Sequence, residues 1–201
     1  ETFNVTAGTV EAALTADTRA IVVVHLFGQM ADMQPLLDLA GERGLHVIED
    51  AAQAVGAEQN AAKAGLLGTV GCFSFYPTKN LGAMGDAGLI TCGDEELARV
   101  LAGIRNHGQG ESYHHPRVGG NFRMDSVQAA VLSVKLRHLD AWTAARQTRA
   151  ARYDELLDPA DLEALDLALL IEGPFTSLWK GKDRPLSAEE QRKKEDEEKA
   201  K

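Results

Sequence analysis

The apolar positions near the start of the chain follow two different patterns. Residues 20–25 are almost entirely apolar and β-branched, which is typical of a strand buried on both faces of a parallel sheet. From Asp32 to Gly44 the apolar residues follow helical spacing, with Asp32 as a candidate N-cap and Gly44 as a stop. A second short apolar run then ends at Glu49-Asp50. The three segments predict a strand, a helix and a strand, the βαβ unit of an α/β fold.

The middle of the chain continues this alternation. Residues 70–75 and 87–92 predict two further strands, joined by a polar loop that contains several glycines. The acidic run Asp94–Glu96 predicts the start of a helix, because negative charges suit the positive end of the helix dipole. Residues 106–122 contain Gly, His, Pro and Asn and predict a long loop, which in a compact domain is usually functional.

The last third of the chain changes character twice. Residues 126–157 contain neither proline nor glycine and predict one long helix or two in succession. From Ile171 that pattern is lost, and residues 188–201 are almost all charged residues and alanine, which predicts disorder or a solvated helix. We therefore expect a main domain over 1–125, a helical segment, and an atypical tail over 158–201.

Composition narrows the class of protein. A chain of 201 residues with 44% hydrophobic and 25% charged residues is typical of one globular domain. The net charge of −9 argues against a nucleic-acid binder, and no apolar run approaches the ~18 residues of a membrane span. No signal peptide is visible, so a cytoplasmic protein is expected, and the missing initial Met suggests a fragment. Cys72 and Cys92 lack partners at ligand spacing, which predicts reduced thiols and no metal site.

Polar residues collect where the predicted strands end. Asp50 and Gln53 follow the second strand, and Ser74 and Lys79 lie at and just past the third. The carboxyl ends of strands are where open α/β sheets bind ligands. Lysine forms Schiff bases, although a lysine taken alone is more often a surface side chain. A carboxylate such as Asp50 can keep a pyridine nitrogen protonated, or it can simply cap a helix.

Five segments occur in the order of the motifs of one enzyme family. They are His25–Gln29, Glu49–Ala54, Gly71–Gly82, Arg105–Gly108 and Gly120–Asp125. Together they resemble the DegT/DnrJ/EryC1/StrS family of pyridoxal-phosphate (PLP)-dependent sugar aminotransferases. The resemblance implies an α/β fold, the large domain of the PLP-dependent transferase fold type I, with a mixed and mostly parallel sheet between helices that is incomplete here.

The resemblance also implies a role for each site residue. Lys79 matches the lysine that binds PLP covalently and moves the substrate proton. Asp50 matches the partner of the pyridine nitrogen, and Gln53 matches a residue beside the ring hydroxyl. Ser74 and Asn121 match phosphate contacts, and Asn121 would come from the neighbouring subunit. The resemblance therefore implies a homodimer with shared active sites.

The implied reaction is transamination of a nucleotide-linked keto-sugar with glutamate as amino donor, in amino-sugar biosynthesis. Some relatives carry His in place of Lys79 and catalyse a dehydration, so a sugar dehydratase is the alternative enzyme. The family's glycine-rich phosphate turn and ring-stacking aromatic have no counterpart in this chain. We therefore expect impaired PLP binding and turnover, and a non-catalytic regulatory or interaction protein remains an alternative. His107, His114 and His115 are either substrate contacts or solvated loop residues.

Overall fold

The computed structural model describes residues 2–111 and 113–156, so the tail predicted over 158–201 lies outside the described residues. The strands are β1 (Ala20–Val24), β2 (His46–Asp50), β3 (Glu58–Gln59), β4 (Ala62–Lys63), β5 (Val70–Ser74) and β6 (Gly88–Thr91). The helices are α1 (Ala7–Ala13), α2 (Met33–Arg43), α3 (Glu95–Arg105), α4 (Ser126–Leu136) and α5 (Leu139–Leu156). None of these helices is long and apolar enough to cross a membrane.

The main sheet has the strand order β1-β2-β5-β6. The strands β1, β2 and β5 are parallel, and β6 pairs with β5 in the antiparallel sense. The prediction of a mixed, mostly parallel sheet is confirmed. The register places Val24 beside Asp50 and Asp50 beside Cys72, so these three side chains belong to one face of the sheet.

The predicted βαβ unit is present and builds the core on the opposite face. Asp32 occupies the N-cap position of α2 without a capping side-chain hydrogen bond, and Gly44 ends the helix at a φ of 63°. That left-handed conformation suits a residue without a Cβ. The core cluster joins α2 to the inward residues of β1 and β2, and its members include Ile21, Val23, Met33, Leu36, Ala40 and Val47.

The other face of the sheet stays open among the described residues. Val22 on β1 is 57% exposed and Ile90 on β6 is 52% exposed. This is the face that carries Asp50. The sheet is incomplete relative to the homologous structures, as the sequence predicts.

A second apolar cluster lies beyond the end of β5. Its buried members are Phe75, Leu81, Ala83, Leu132 and Leu139. They join the loop after β5 to α4 and to the first residue of α5. This packing holds the loop that contains Lys79.

Of the two alternatives predicted for the helical segment after residue 125, the structure has two helices in succession, α4 and α5, with a turn at Arg137 and His138 that no glycine or proline marks. The short helix α1 and the two-residue strands β3 and β4 were not predicted. Among the described residues, the chain divides into two units between Thr143 and Ala144, and the predicted domain boundary at residue 125 stays a prediction.

Candidate active site

Asp50 lies at the carboxyl end of the central parallel strand. It is the last residue of β2, and its side chain is half-buried. The Oδ1 atom accepts a hydrogen bond from the backbone N–H of Ala52 at 3.0 Å, so the carboxylate closes a turn rather than capping a helix. The strand partners and this hydrogen bond fix the direction of the carboxylate.

The charge of Asp50 acts on its neighbour in the sheet. Cys72 of β5 lies beside Asp50 in register. Burial, and in addition the negative charge of Asp50, raise the pKa of the Cys72 thiol above its ordinary value. This face of the sheet end is therefore electronegative, which suits a protonated ring nitrogen.

Ser74 and Lys79 follow on the neighbouring strand, where the sequence predicts them. Ser74 ends β5, and its Oγ accepts a hydrogen bond from the N–H of Tyr76 at 3.3 Å. Lys79 lies five residues further on in a turn in which its own N–H donates to the carbonyl of Tyr76 at 2.9 Å. The Lys79 side chain is half-buried, and the structure shows no ion pair or hydrogen bond from its amine to another described residue.

Close backbone contacts hold the Lys79 loop in place. The N–H of Ala83 donates to the carbonyl of Phe75 at 2.8 Å and closes the loop at its base. A Cβ at Gly82 would lie 2.4 Å from the carbonyl oxygen of Pro77, so only glycine permits this approach. Lys135 of α4 donates to the carbonyl of Gly82. A lysine in such a loop is presented by a fixed backbone rather than by a mobile segment.

Gln53 is tied to the turn that follows β1. Its Oε1 accepts a hydrogen bond from the N–H of Phe27 at 2.7 Å. Phe27 has a φ of 56°, and a Cβ at Gly28 would lie 3.0 Å from the Gln53 carbonyl oxygen. The turn and Gln53 are thus in close contact, and they bring the ends of β1 and β2 together.

A buried, hydrogen-bonded pair of side chains beneath this group was not predicted as part of the site. His25 and Glu49 are both 0% exposed, and His25 Nε2 lies 2.9 Å from Glu49 Oε2. Both residues belong to the motifs that carry the family resemblance, but no sequence pattern indicates that they form a pair. One feature of the sequence could have indicated that Glu49 is buried. It lies two residues after Val47 in the same strand, so both side chains point to the core-facing side of the sheet.

Asn121 lies in a different part of the structure. It forms an isolated bridge with Asn106, and its Oδ1 accepts a hydrogen bond from the N–H of Arg123 at 3.4 Å. Its side chain is exposed, and none of its contacts is with the strand-end residues among the described residues. In the same loop, His115 Nδ1 lies 3.0 Å from the carbonyl oxygen of His107. The histidine roles stay predictions.

Several known proteins resemble this chain over about four-fifths of its length. The model of the DegT/DnrJ/EryC1/StrS aminotransferase family matches residues 1–168. The chain is 53% identical over 159 residues to the pleiotropic regulatory protein of Geobacillus stearothermophilus, covering 79% of this chain and 43% of that protein. It is 47% identical over 161 residues to the UDP-N-acetyl-3-dehydro-alpha-D-glucosamine 3-aminotransferase of Acidithiobacillus ferrooxidans, covering 80% and 44%.

A solved structure extends the likeness to three dimensions. The crystal structure of DesV from S. venezuelae matches with a TM-score of 0.71 and 48% identity, over 75% of this chain and 40% of that chain. The chain therefore spans less than half the length of the curated relatives and of the solved chain that it matches.

Proposed function

Because the chain belongs to the DegT/DnrJ/EryC1/StrS aminotransferase family, whose members use PLP, we propose that the whole protein transfers an amino group from glutamate to a nucleotide-linked keto-sugar. Nucleotide-sugar aminotransferases among the relatives support the class of reaction. The donor, the acceptor and a homodimer with shared sites are parts of this proposal.

The observation that carries the proposal is the placement of one amine and one carboxylate. Lys79 follows β5 and Asp50 ends the adjacent parallel strand β2. Both side chains are half-buried, and neither forms an ion pair with a described residue. PLP requires these two groups, an amine for its aldehyde and a carboxylate for its ring nitrogen. The residues present therefore fit the cofactor.

Each side chain has a definite task in this site. PLP, when bound, supplies an electron sink for the substrate carbanion. Asp50 would accept the ring N–H and keep that nitrogen protonated, and Gln53 would contact the ring hydroxyl. Ser74 would contact the phosphate, and Asn121 would contact it from a second subunit. Lys79 would hold the cofactor covalently through Nζ, and once the substrate amine has replaced that linkage, the freed Nζ would move the proton of the substrate carbon.

A regulatory or interaction role is the second candidate. The Geobacillus relative, at 53% identity, is named a pleiotropic regulatory protein. The sugar dehydratase is less favoured, because the chain has Lys79 where the dehydratases of the family have histidine. A chain that dimerises without binding PLP would support the regulatory candidate.

The test is covalent trapping of PLP on the purified chain. PLP is added over a range of concentrations, borohydride fixes the reversible lysine linkage, and peptide mapping measures the occupancy of each lysine. We expect Lys79 to be labelled at lower concentration than the exposed Lys63, which serves as the internal control. Lys79→Arg should leave only the background labelling. Equal labelling of Lys79 and Lys63 would refute the cofactor site.

A second measurement addresses turnover. We expect weak binding and little or no transamination by these 201 residues alone, since they span less than half the length of the relatives they match. Any yellow colour of the bound form should be lost when glutamate is added. Robust transamination by the chain alone would contradict the expected impairment but not the assignment of Lys79.

A further inference from the structure

Two polar side chains are fully buried beneath the candidate site. His25 directly follows β1, and Glu49 is the residue before Asp50 on β2. Burying a charged or polar group is unfavourable unless hydrogen bonds replace its contacts with water. A pair that serves only stability is often replaceable by apolar residues of similar volume. The position of this pair therefore calls for an explanation.

The hydrogen bonds around the pair permit one proton arrangement. His25 Nδ1 accepts the N–H of Ala31 at 3.2 Å and so carries no proton. The proton is then on Nε2, which donates to Glu49 Oε2 at 2.9 Å. The Glu49 carboxylate also accepts backbone N–H groups, from Gly65 at 2.8 Å, Leu67 at 2.7 Å and Gly68 at 2.5 Å. An ionised glutamate and a neutral histidine satisfy every donor.

One branch of this network leads to Asp50. Glu49 holds the end of β2 from the core side through the loop at 65–68, and Asp50 is its peptide neighbour on the opposite face. The backbone N–H of His25 also donates to the carbonyl of Asp50 at 3.0 Å. The residue that carries the ring-nitrogen carboxylate is thus fixed through its own backbone and through its neighbour's side chain.

The other branch leads to Gln53. The His25 ring binds the N–H of Ala31 and so closes the turn over residues 26–30. Within that turn, the N–H of Phe27 donates to Gln53 Oε1 at 2.7 Å. The same imidazole therefore contacts one branch through Nε2 and the other through Nδ1.

We propose that His25 and Glu49 are the positioning residues of the cofactor site, which set Asp50 and Gln53 at the spacing that the PLP ring requires. The inference rests on the proposed function, because it assigns the PLP ring to these two residues. The pair does not touch the cofactor. It acts by orienting the groups that do, as outer-shell partners orient the ligands of metal sites.

Two substitutions of His25 separate the branches. In His25→Asn the side-chain oxygen lies about where Nδ1 was, so the contact with Ala31 is kept and the contact with Glu49 is lost. In His25→Gln the side chain reaches Glu49, and the contact with Ala31 is lost. Val47→Ala is the matched control, because Val47 is buried on the same face of β2 and takes no part in the network.

The experiment measures the PLP dissociation constant by absorbance titration, with urea unfolding as a separate readout of stability. Each variant is made in the wild-type, Asp50→Asn and Gln53→Ala backgrounds. We expect His25→Asn to weaken PLP binding about 10-fold, at the low end of effects at outer-shell positions. That effect should fall to within about twofold, the scatter of independent sites, when Asp50 is already replaced. His25→Gln should also weaken PLP binding, and this effect should be absent when Gln53 is already replaced by alanine.

Val47→Ala should lower the stability and leave PLP affinity within about twofold of wild type, in every background. The inference is overturned if His25→Asn weakens binding equally with and without Asp50, or no more than Val47→Ala does. If His25→Asn does not fold, the His25→Gln variant serves instead. The inference is then overturned if His25→Gln weakens PLP binding equally with and without Gln53. If Lys79 of the wild-type chain shows no saturable labelling, both the proposed function and this inference are refuted. If Lys79 is labelled but the His25 effects do not depend on Asp50 or Gln53, only the inference is refuted.

Discussion

Replacing Glu49 with glutamine tests the buried network through stability alone. The change keeps the shape of the side chain and removes its charge. A glutamine oxygen can still accept the N–H groups of Leu67 and Gly68, but its NH₂ group then meets the N–H of Gly65 and the Nε2–H of His25. A shift of the imidazole proton to Nδ1 only moves the conflict to the N–H of Ala31.

Two buried donors lose their acceptor in either arrangement. Each such loss costs about 1–3 kcal/mol, so we expect Glu49→Gln to lower the free energy of unfolding by about 3 kcal/mol. That loss is about a third of the free energy of unfolding of a typical domain, which is about 5–15 kcal/mol. The matched control is Glu58→Gln, which removes an exposed ion pair with Lys63 and should cost about 0–1 kcal/mol.

The assay is urea unfolding followed by circular dichroism, repeated from neutral to acidic pH. Burial by itself raises the pKa of Glu49, but hydrogen bonds from His25, Gly68, Gly65 and Leu67 outweigh it and hold the pKa below its ordinary value of 4.5. The stability that the ionised form contributes is therefore complete above that value. It is lost as the pH falls from there through the pKa of the folded state.

The gap in stability between wild type and Glu49→Gln should consequently be constant at neutral pH and shrink below about pH 4.5, the ordinary pKa of a glutamate. A loss under about 1 kcal/mol at neutral pH would show that the carboxylate charge does not matter, since that is the range of exposed pairs. A gap that stays unchanged in acid would show that the pKa of Glu49 is the same in the folded and unfolded states, so that its hydrogen bonds do not favour the ionised form.

Three further substitutions test the charge of Asp50 and the packing around two glycines. Asp50→Asn should speed the alkylation of Cys72 at pH 8, measured by mass spectrometry, because the aspartate charge contributes to the raised pKa of the thiol. An unchanged rate would show that the charge of Asp50 does not act on this thiol. Gly41→Ala, in α2 with open space around the added Cβ, should raise the free energy of unfolding by about 0.5–1 kcal/mol. In Gly71→Ala the added Cβ would lie 2.2 Å from the carbonyl oxygen of Gly65, so the free energy of unfolding should fall by about 1–3 kcal/mol. Similar effects of the two substitutions in urea unfolding would contradict the packing.

Local sequence patterns correctly predict the elements that have a regular spacing of apolar residues and a capping or stop residue at one end. The strand at 20–24, the helix that stops at Gly44, and the helix after Asp94 are all present, and Asp94 accepts the N–H of Leu97 at 2.6 Å as an N-cap. Family motifs also locate Asp50, Gln53, Ser74 and Lys79 near strand ends, as the structure does. These are features that neighbouring residues decide.

The unpredicted features depend on contacts between distant parts of the chain or on weak signals. The strands β3 and β4 have two residues each, which is too short for a period to show. The helix α1 has a capping box in which Thr9 takes the place of the usual acidic or amide residue. His25 and Glu49 are 24 residues apart, and no local pattern could show that the two are partners.

Glu49 and Asp50 are consecutive carboxylates on opposite faces of one strand. A shift of β2 by a single residue would exchange them, placing the shorter aspartate under the core loop and the glutamate at the sheet's open face. Insertion or deletion of one residue between α2 and β2 therefore cannot be absorbed by sliding the strand. Chain-length variation among homologues should avoid the connection through Gly44 and concentrate in the irregular stretch over 106–125.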